Sequence, residues 1–172
     1  MKKYIFIFLL LNVTIHAISQ VTNLGSPIGW NGKLAHKNIP IETMIGFDQS
    51  IVDKEDQINE KTKENPWRFG YKYEVNYSAK NSGLETFLPN GDKLWQLVIE
   101  CKGALTINLL FENFKLPKGA YLYLYDFNHT NKVGAYTFKN NRIDGKLGTE
   151  LVHGDKIIIE YFEPSNVIGQ GS

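Results

Sequence analysis

The chain has 172 residues, enough for one domain of ordinary size with a targeting segment and too few for two full domains. Lysine and arginine number 19 against 18 aspartate and glutamate residues, so the net charge is +1. This balance predicts no nucleic-acid partner and no attraction to an anionic membrane. The single cysteine, Cys101, excludes an internal disulfide, and we interpret it as a small buried apolar residue rather than a reactive thiol.

The first residues have the pattern of an export signal. Lys2 and Lys3 precede the apolar run YIFIFLLLNV, and Ala17 and Ser19 stand at the spacing that a signal peptidase reads. The run is too short for a stable membrane anchor. We therefore predict a signal peptide over residues 1–19 and a mature chain that is secreted, either periplasmic or extracellular, with no membrane contact after cleavage.

Residues 20–65 are predicted to form an extended lead-in or linker. Their periodicity is weak, and the run DQSIVDKEDQINEKTKEN is polar with alternating charges. So few apolar side chains cannot offset the entropy lost on ordering. We expect at most a short helix near DKEDQINEK, and we expect the stretch IPIETM to place a few apolar residues against the body of the protein.

From Pro66 onward the pattern changes to alternation with a period of two, which is typical of strands. In WRFGYKYEVNY every second residue from Trp67 to Tyr77 is apolar or aromatic, which predicts a long half-buried strand. KLWQLVIEC and ALTINLLF follow, joined by a short glycine-containing link that predicts a hairpin. VGAYTF, IDGKLGTELV and KIIIEYF continue the series, and nothing after Pro66 has a helical pattern.

This series of short strands and turns predicts an all-β fold, an antiparallel β-sandwich of jelly-roll type over residues 66–164, with a C-terminal tail over residues 165–172. The expected core consists of the inward-facing residues of these strands. They are Trp95, Leu97, Ile99, Leu105, Ile107, Leu109, Leu122, Leu124, Ile157 and Ile159.

One predicted strand has an unusual second face. In LPKGAYLYLYD, Leu122 and Leu124 alternate with Tyr121, Tyr123 and Tyr125, which we call the tyrosine row. The leucine face is ordinary core. We predict that the tyrosine row binds a partner, because tyrosine supplies large contact area at low entropic cost. The alternative is that the lead-in or a neighbouring loop covers the row, with the hydroxyl groups at the rim.

Candidate catalytic groups are few. The mature chain has three histidines, His36, His129 and His153, each in a loop context and at no spacing suited to a zinc site. No GxSxG elbow is present, and Ser82 in NSG is better explained as a turn residue. The available carboxylates cannot be paired from sequence alone. They are Asp126, Asp144, Asp155 and Glu160.

The loop DFNHTN offers oxygen ligands for a calcium ion at Asp126, Asn128 and Asn131. Its spacing departs from that of a strict calcium loop, so we interpret it as a turn without metal. The sequence predicts no cofactor of any kind.

Several motifs together resemble a known family. They are WRFGYKYEVNYSAKNSG, LPNGDKLWQLVIECKGALTINLLFENFKLPKGAYLYLYD, GAYTFKNN and GDKIIIEYFEP, spanning about residues 39–164. In this combination they resemble the N-terminal region of secreted bacterial lysyl-endopeptidase-like serine proteases. In that family a signal peptide and a β-sandwich pro-region precede a trypsin-like catalytic domain.

The resemblance implies a non-catalytic pro-region or accessory domain that assists folding of the protease domain or masks it, with a trypsin-like domain as partner in cis or in trans. Where a family member would continue into the His, Asp and Ser triad, this sequence stops at EPSNVIGQGS, so no catalytic position can be transferred. We expect either a truncated precursor or a free-standing copy of the module. The alternative function is a secreted carbohydrate- or surface-binding β-sandwich, because aromatic rows also suit sugars.

We predict that the purified chain hydrolyses neither peptide nor ester substrates, because no nucleophile and base can be paired from its residues. The measurement is turnover of a lysyl ester. Activity that survives repurification and disappears on a single substitution would contradict the prediction.

Overall fold

The computed structural model describes residues 25–31 and 38–172. The predicted signal peptide and His36 lie outside the described residues. The described part consists mostly of strands with one α-helix, and the strands form one six-stranded and two two-stranded open sheets. None of its helices is both long and apolar enough to cross a membrane.

Ten strands are present in the described part. In chain order they are β1 (Ile41–Thr43), β2 (Leu84–Phe87), β3 (Lys93–Glu100), β4 (Thr106–Ile107), β5 (Leu110–Phe111), β6 (Tyr121–Asp126), β7 (Lys132–Thr137), β8 (Leu147–Gly148), β9 (Val152–His153) and β10 (Lys156–Glu163).

Strands β1, β2, β3, β10, β6 and β7 form one six-stranded sheet. The order is β1-β3-β10-β6-β7, and β10 pairs antiparallel with β3 and β6 on its two sides. The far side of β3 is shared: β1 pairs with it in parallel at Val98–Glu100, and β2 pairs antiparallel at Lys93–Gln96. Both hydrogen-bonding edges of β3 are therefore occupied, one by β10 and the other by β1 and β2.

One face of this sheet carries the main core. Alternate residues of β3, β6 and β10 point to it, as the period of two predicts. The short antiparallel ladders β4–β9 and β5–β8 contribute Ile107, Leu147 and Val152 to the same cluster. The predicted core is confirmed except at two positions: Leu105 is 87% exposed, and Leu109 is only partly buried.

The second face of the sheet carries a smaller apolar cluster. Its members are Ile39, Val98, Tyr123, Tyr125 and Ile158. Ile39 immediately precedes β1 and is buried, so the stretch IPIETM places an apolar residue against the body of the protein, as predicted. Both faces of the central strand β10 are covered, which explains why it reads as the apolar run KIIIEYF.

Two strand predictions are wrong. Residues 67–77 belong to no strand, and residues 104–111 form β4 and β5 instead of a hairpin with β3. Residues 67–77 are held instead by side-chain contacts, from Arg68 to Glu55 and Asp56 and from Tyr73 to Ile45. For residues 104–111 the physical reason is competition for β3. The hydrogen-bonding edges of β3 are filled by β10 on one side and by β1 and β2 on the other. Alternation predicts an extended chain, but it does not reveal whether a ladder position is free.

The helix in the lead-in is longer than predicted. Helix α1 spans Gln49–Thr62, whereas we expected at most a short helix near residues 53–61. It begins where the Asp48 carboxylate accepts a hydrogen bond from the Ser50 backbone N–H, and it ends at Lys63 in the left-handed conformation. Among its residues only Val52 is buried. The caps stabilise a polar helix that packs little against the body.

The difference in burial between Ile107 and Leu105 predicts different effects of their replacement on stability. Replacement of the buried Ile107 by alanine should lower the free energy of unfolding by about 2 to 5 kcal/mol, because it removes methyl groups and leaves a cavity. Leu105→Ala, two residues away and exposed, should change it by less than about 0.5 kcal/mol. Urea unfolding of both variants measures the difference, and equal effects would contradict this description of the core.

Candidate functional site

Residues 67–77, which we call the aromatic segment, form an exposed extended chain beside α1. Trp67 is 82% exposed and Phe69 is 81% exposed, and Val75 is also exposed. Soluble monomers rarely expose several large apolar side chains along one short stretch. The aromatic segment is therefore the most conspicuous candidate contact surface in the described part of the protein.

Polar contacts fix the aromatic segment to α1 and to the residues before it. The Arg68 guanidinium forms ion pairs with Glu55 at 2.7 Å and Asp56 at 2.9 Å. The Tyr73 hydroxyl donates a hydrogen bond of 2.8 Å to the Ile45 carbonyl. These contacts hold the backbone in place although it lies outside every strand ladder. The exposed rings are therefore presented on a positioned chain.

An open cleft of about 440 Å³ separates α1 from the aromatic segment. The Phe47 and Tyr71 rings on its rim stack with centroids 4.0 Å apart and an interplanar angle of 2°. Asp48, Glu55 and Lys72 add charged groups to the lining. The cleft thus combines flat aromatic faces with polar groups, a mixture that suits recognition of an amphipathic ligand.

The tyrosine row lies on the second face of the sheet, as predicted. Tyr121 is partly buried and stacks on Phe162 with centroids 4.5 Å apart, whereas Tyr123 and Tyr125 are 4% and 0% exposed. Burial and the nearby Glu160 carboxylate raise the pKa of the Tyr125 phenol. The row is therefore covered in this structure, and its role in partner binding stays a prediction.

Residues 25–31, which we call the strap, lie over Tyr123 and Tyr125. A side chain at Gly25 would come within 2.8 Å of the Tyr123 hydroxyl. The Trp30 ring stacks on Tyr125 with centroids 6.0 Å apart. This arrangement corresponds to the alternative that the chain's own lead-in covers the tyrosines. The strap contains a short 3₁₀ turn over Ile28–Asn31.

A fully buried carboxylate holds the strap. Glu160 in β10 is 0% exposed and accepts backbone N–H hydrogen bonds from Ile28 at 2.6 Å and Gly29 at 3.0 Å. The Tyr125 hydroxyl and the Gln96 amide donate to the same carboxylate at 2.8 Å and 3.0 Å. Four donors satisfy a group that would be costly to bury alone. Sequence reasoning named Glu160 only as a possible acid or base and missed this role.

The loop after β6 is organised by Asp126. Its carboxylate accepts hydrogen bonds from the Thr130 N–H and hydroxyl and from the Asn131 N–H, at 2.6 to 2.9 Å. Both oxygens are thus used inside the turn, which is the arrangement of a hydrogen-bonded turn. Among the described residues no group of three or more His, Cys, Asp and Glu side chains is close enough to hold a metal ion.

The remaining chemical candidates have separate structural partners. The Ser82 hydroxyl donates to the Ser78 carbonyl at 2.9 Å, as expected for a turn. Asp144 pairs with Arg142, and Asp155 accepts from the Gly103 N–H. Of the histidines, His153 lies in β9 rather than in a turn. The His129 ring packs edge to face against the Tyr125 ring. The thiol of Cys101 is half-buried, and burial raises its pKa.

The Asp126 turn predicts a pH dependence. Burial opposes ionisation, but the hydrogen bonds from Asn131 and Thr130 outweigh it and hold the pKa of Asp126 below its usual value. A lowered native pKa contributes stability above the unfolded-state value of about 3.9 and loses it as the pH falls through the native value. Asp126→Asn should therefore destabilise the protein most at neutral pH, and the difference from wild type should shrink below about pH 4.

Urea unfolding between pH 7 and pH 3 measures this difference. The control is Glu64→Gln, an exposed carboxylate after α1, which should change the free energy of unfolding by less than about 0.5 kcal/mol at neutral pH. A constant difference between wild type and Asp126→Asn at every pH would contradict the prediction.

No protein-family model matches the sequence, and no solved structure matches the fold.

Proposed function

We propose that this protein is a non-catalytic pro-region or accessory domain of a secreted lysyl-endopeptidase-like serine protease, and that it assists folding of the protease domain or masks it. The observation that carries the proposal is the aromatic segment, with Trp67 and Phe69 more than 80% exposed. Aromatic residues on a positioned chain are the usual anchors of protein–protein contacts. The partner is a trypsin-like protease domain, supplied in cis or in trans, and the site of action is outside the cytoplasm.

The charge distribution around the aromatic segment supports a protein partner. Arg68, Glu55 and Asp56 form a network at the base of the exposed rings, and Lys72 pairs with Glu74 at 2.5 Å. Paired charges around apolar rings resemble the polar rim around the apolar centre of an interface. The apolar residues supply the binding free energy, while the rim fixes the orientation of the partner.

The fold is compatible with the same proposal. The six-stranded sheet and the short ladders β4–β9 and β5–β8 enclose one core, and we propose that they represent an irregular jelly-roll-like sandwich. The tyrosine row can contact a protease domain only where the strap is absent, since the strap covers Tyr123 and Tyr125. The aromatic segment needs no such rearrangement.

The second candidate function is carbohydrate binding, and one observation favours it. The stacked pair Phe47 and Tyr71 stands at the rim of a cleft that also contains carboxylate and ammonium groups. Flat aromatic faces beside polar groups are suited to sugar rings. Binding of a soluble polysaccharide to the wild-type chain, lost in Tyr71→Ala, would favour this function over the first.

We predict that the chain binds a separately expressed trypsin-like domain of this protease family and lowers its turnover of a lysyl substrate or raises its refolding yield. Trp67→Ala and Phe69→Ala should each weaken binding by roughly thirtyfold, since truncation of an aromatic anchor costs about 2 kcal/mol. Their melting temperatures should stay close to that of the wild type, because both rings are exposed.

The matched control is Phe87→Ala, which removes an aromatic ring that is 64% exposed on β2. This variant should bind the protease domain as tightly as the wild type. Calorimetric titration measures the affinities of the wild type and of all three variants. Equal weakening by Phe87→Ala would place the interface elsewhere, and the absence of any binding by the wild-type chain would overturn the proposed function.

A further inference from the structure

The strap is attached to the sheet in the manner of a bound peptide. It contributes no strand to the six-stranded ladder. Among the described residues, its hydrogen bonds to the sheet include those of the Ile28 and Gly29 N–H groups to the Glu160 carboxylate and that of the Lys132 ammonium to the Gly25 carbonyl. Because these bonds involve sheet side chains only, the ladders β3–β10 and β10–β6 are complete without the strap.

The groove beneath the strap is selective for glycine at one position. A Cβ atom added at Gly29 would lie 2.6 Å from Glu160 Oε2 and 2.7 Å from both Gln96 Nε2 and the Tyr125 hydroxyl. These polar atoms are buried and bonded to one another, so they cannot move apart without losing hydrogen bonds. Any larger residue at position 29 therefore separates the strap from the carboxylate.

The flanking positions add further selectivity. Pro27 is fully buried, and the Trp30 ring stacks on Tyr125 with the Lys132 ammonium 5.5 Å from its centroid. The Trp30 N–H closes the turn on the Pro27 carbonyl at 3.2 Å. The groove thus recognises proline, an apolar residue, glycine and an aromatic residue in succession, with two consecutive N–H groups directed at the carboxylate.

We propose that the sheet face around Glu160 is a peptide-binding groove that accepts the strap, residues 25–31, of a second copy of this chain in place of its own. A strap from a second copy offers the same two N–H groups, the same glycine and the same indole. Reciprocal exchange of straps produces a symmetric dimer without a new type of contact. None of the groove residues named above belongs to the aromatic segment, so this inference does not depend on the proposed function.

A complementation experiment with two full-length variants tests the proposal. Gly29→Val keeps the groove but has a strap that no longer fits, and Glu160→Gln keeps the strap but has lost the anionic acceptor. In a mixture, the intact strap of Glu160→Gln can enter the intact groove of Gly29→Val. We expect the mixture to form a 1:1 heterodimer by light scattering, and each variant alone to remain monomeric.

A competing peptide and a control substitution test whether the heterodimer forms through the strap. A synthetic peptide of residues 25–31 should dissociate the heterodimer, whereas the same peptide with valine at position 29 should have at least a tenfold weaker effect. Trp67→Ala introduced into both chains should leave the complex unchanged, because the aromatic segment takes no part. Folded variants that form no complex, or a complex that ignores the peptide, would overturn the proposal.

Hydrogen exchange on the wild-type chain gives a test that does not depend on the folding of any variant. If the strap leaves as a unit, the amides of Ile28 and Gly29 should exchange at least tenfold faster than the Ile158 amide in the centre of β10. Exchange of all three at the same rate, through global unfolding only, would show that the strap cannot be replaced and would overturn the proposal.

Discussion

The burial of strand β10 on both faces is the constraint on which the rest of the structure depends. Ile157 and Ile159 point to the main core, and Ile158 and Glu160 point to the opposite face. A strand in this position needs two separate covers. The short ladders supply the first cover, and Ile39 with the strap supplies the second. The described segments before β1 and between β3 and β6 contain little regular structure. They are nevertheless ordered, because they bury the two faces of one central strand.

The Glu160 carboxylate explains why the strap, which covers the second face of β10, contains a turn. A carboxylate in an apolar layer requires donors, and a neighbouring strand has already committed its N–H groups to the ladder. The first residues of a 3₁₀ turn have free N–H groups and therefore fit Glu160. An apolar residue at position 160 would favour a different, less directional cover. Glu160 thus gives the second face a specific partner where apolar packing alone would tolerate many.

Sequence periodicity was sufficient for the main core and insufficient for the edges. Leu97 and Leu124 were predictable because each alternates with residues of the other face along an uninterrupted strand. The aromatic segment has the same alternation, yet it pairs with no strand and is held by the contacts of Arg68 with α1 and of Tyr73 with Ile45. Leu105 failed as a core residue because the strand that was expected to include it breaks into β4 and β5. Edge competition is a property of the whole chain and is not visible in a local pattern.

The same limit applies to the candidate sites. The tyrosine row was visible in the sequence because it is local, but its cover comes from residues almost a hundred positions earlier. The cleft beside Phe47 and Tyr71 was not predicted, because its two rings come from separate stretches that contact each other only in the folded chain. For the strap, the sequence does contain one cue. The glycine of SPIGW stands between two apolar residues, which indicates that the backbone comes close to another group there. Nothing in the sequence shows which group that is.

The position of the aromatic segment outside every ladder has a consequence for limited proteolysis. Proteases cut extended chain that lies on the surface and is free of strand pairing, and this stretch includes a lysine at position 72. A cut there would sever the covalent link between β1 with α1 on one side and strands β2 to β10 on the other. The parallel pairing of β1 with β3 and the hydrogen bonds of the strap to Glu160 would still join the two fragments. A nicked molecule would therefore keep its folded shape and separate only on denaturation.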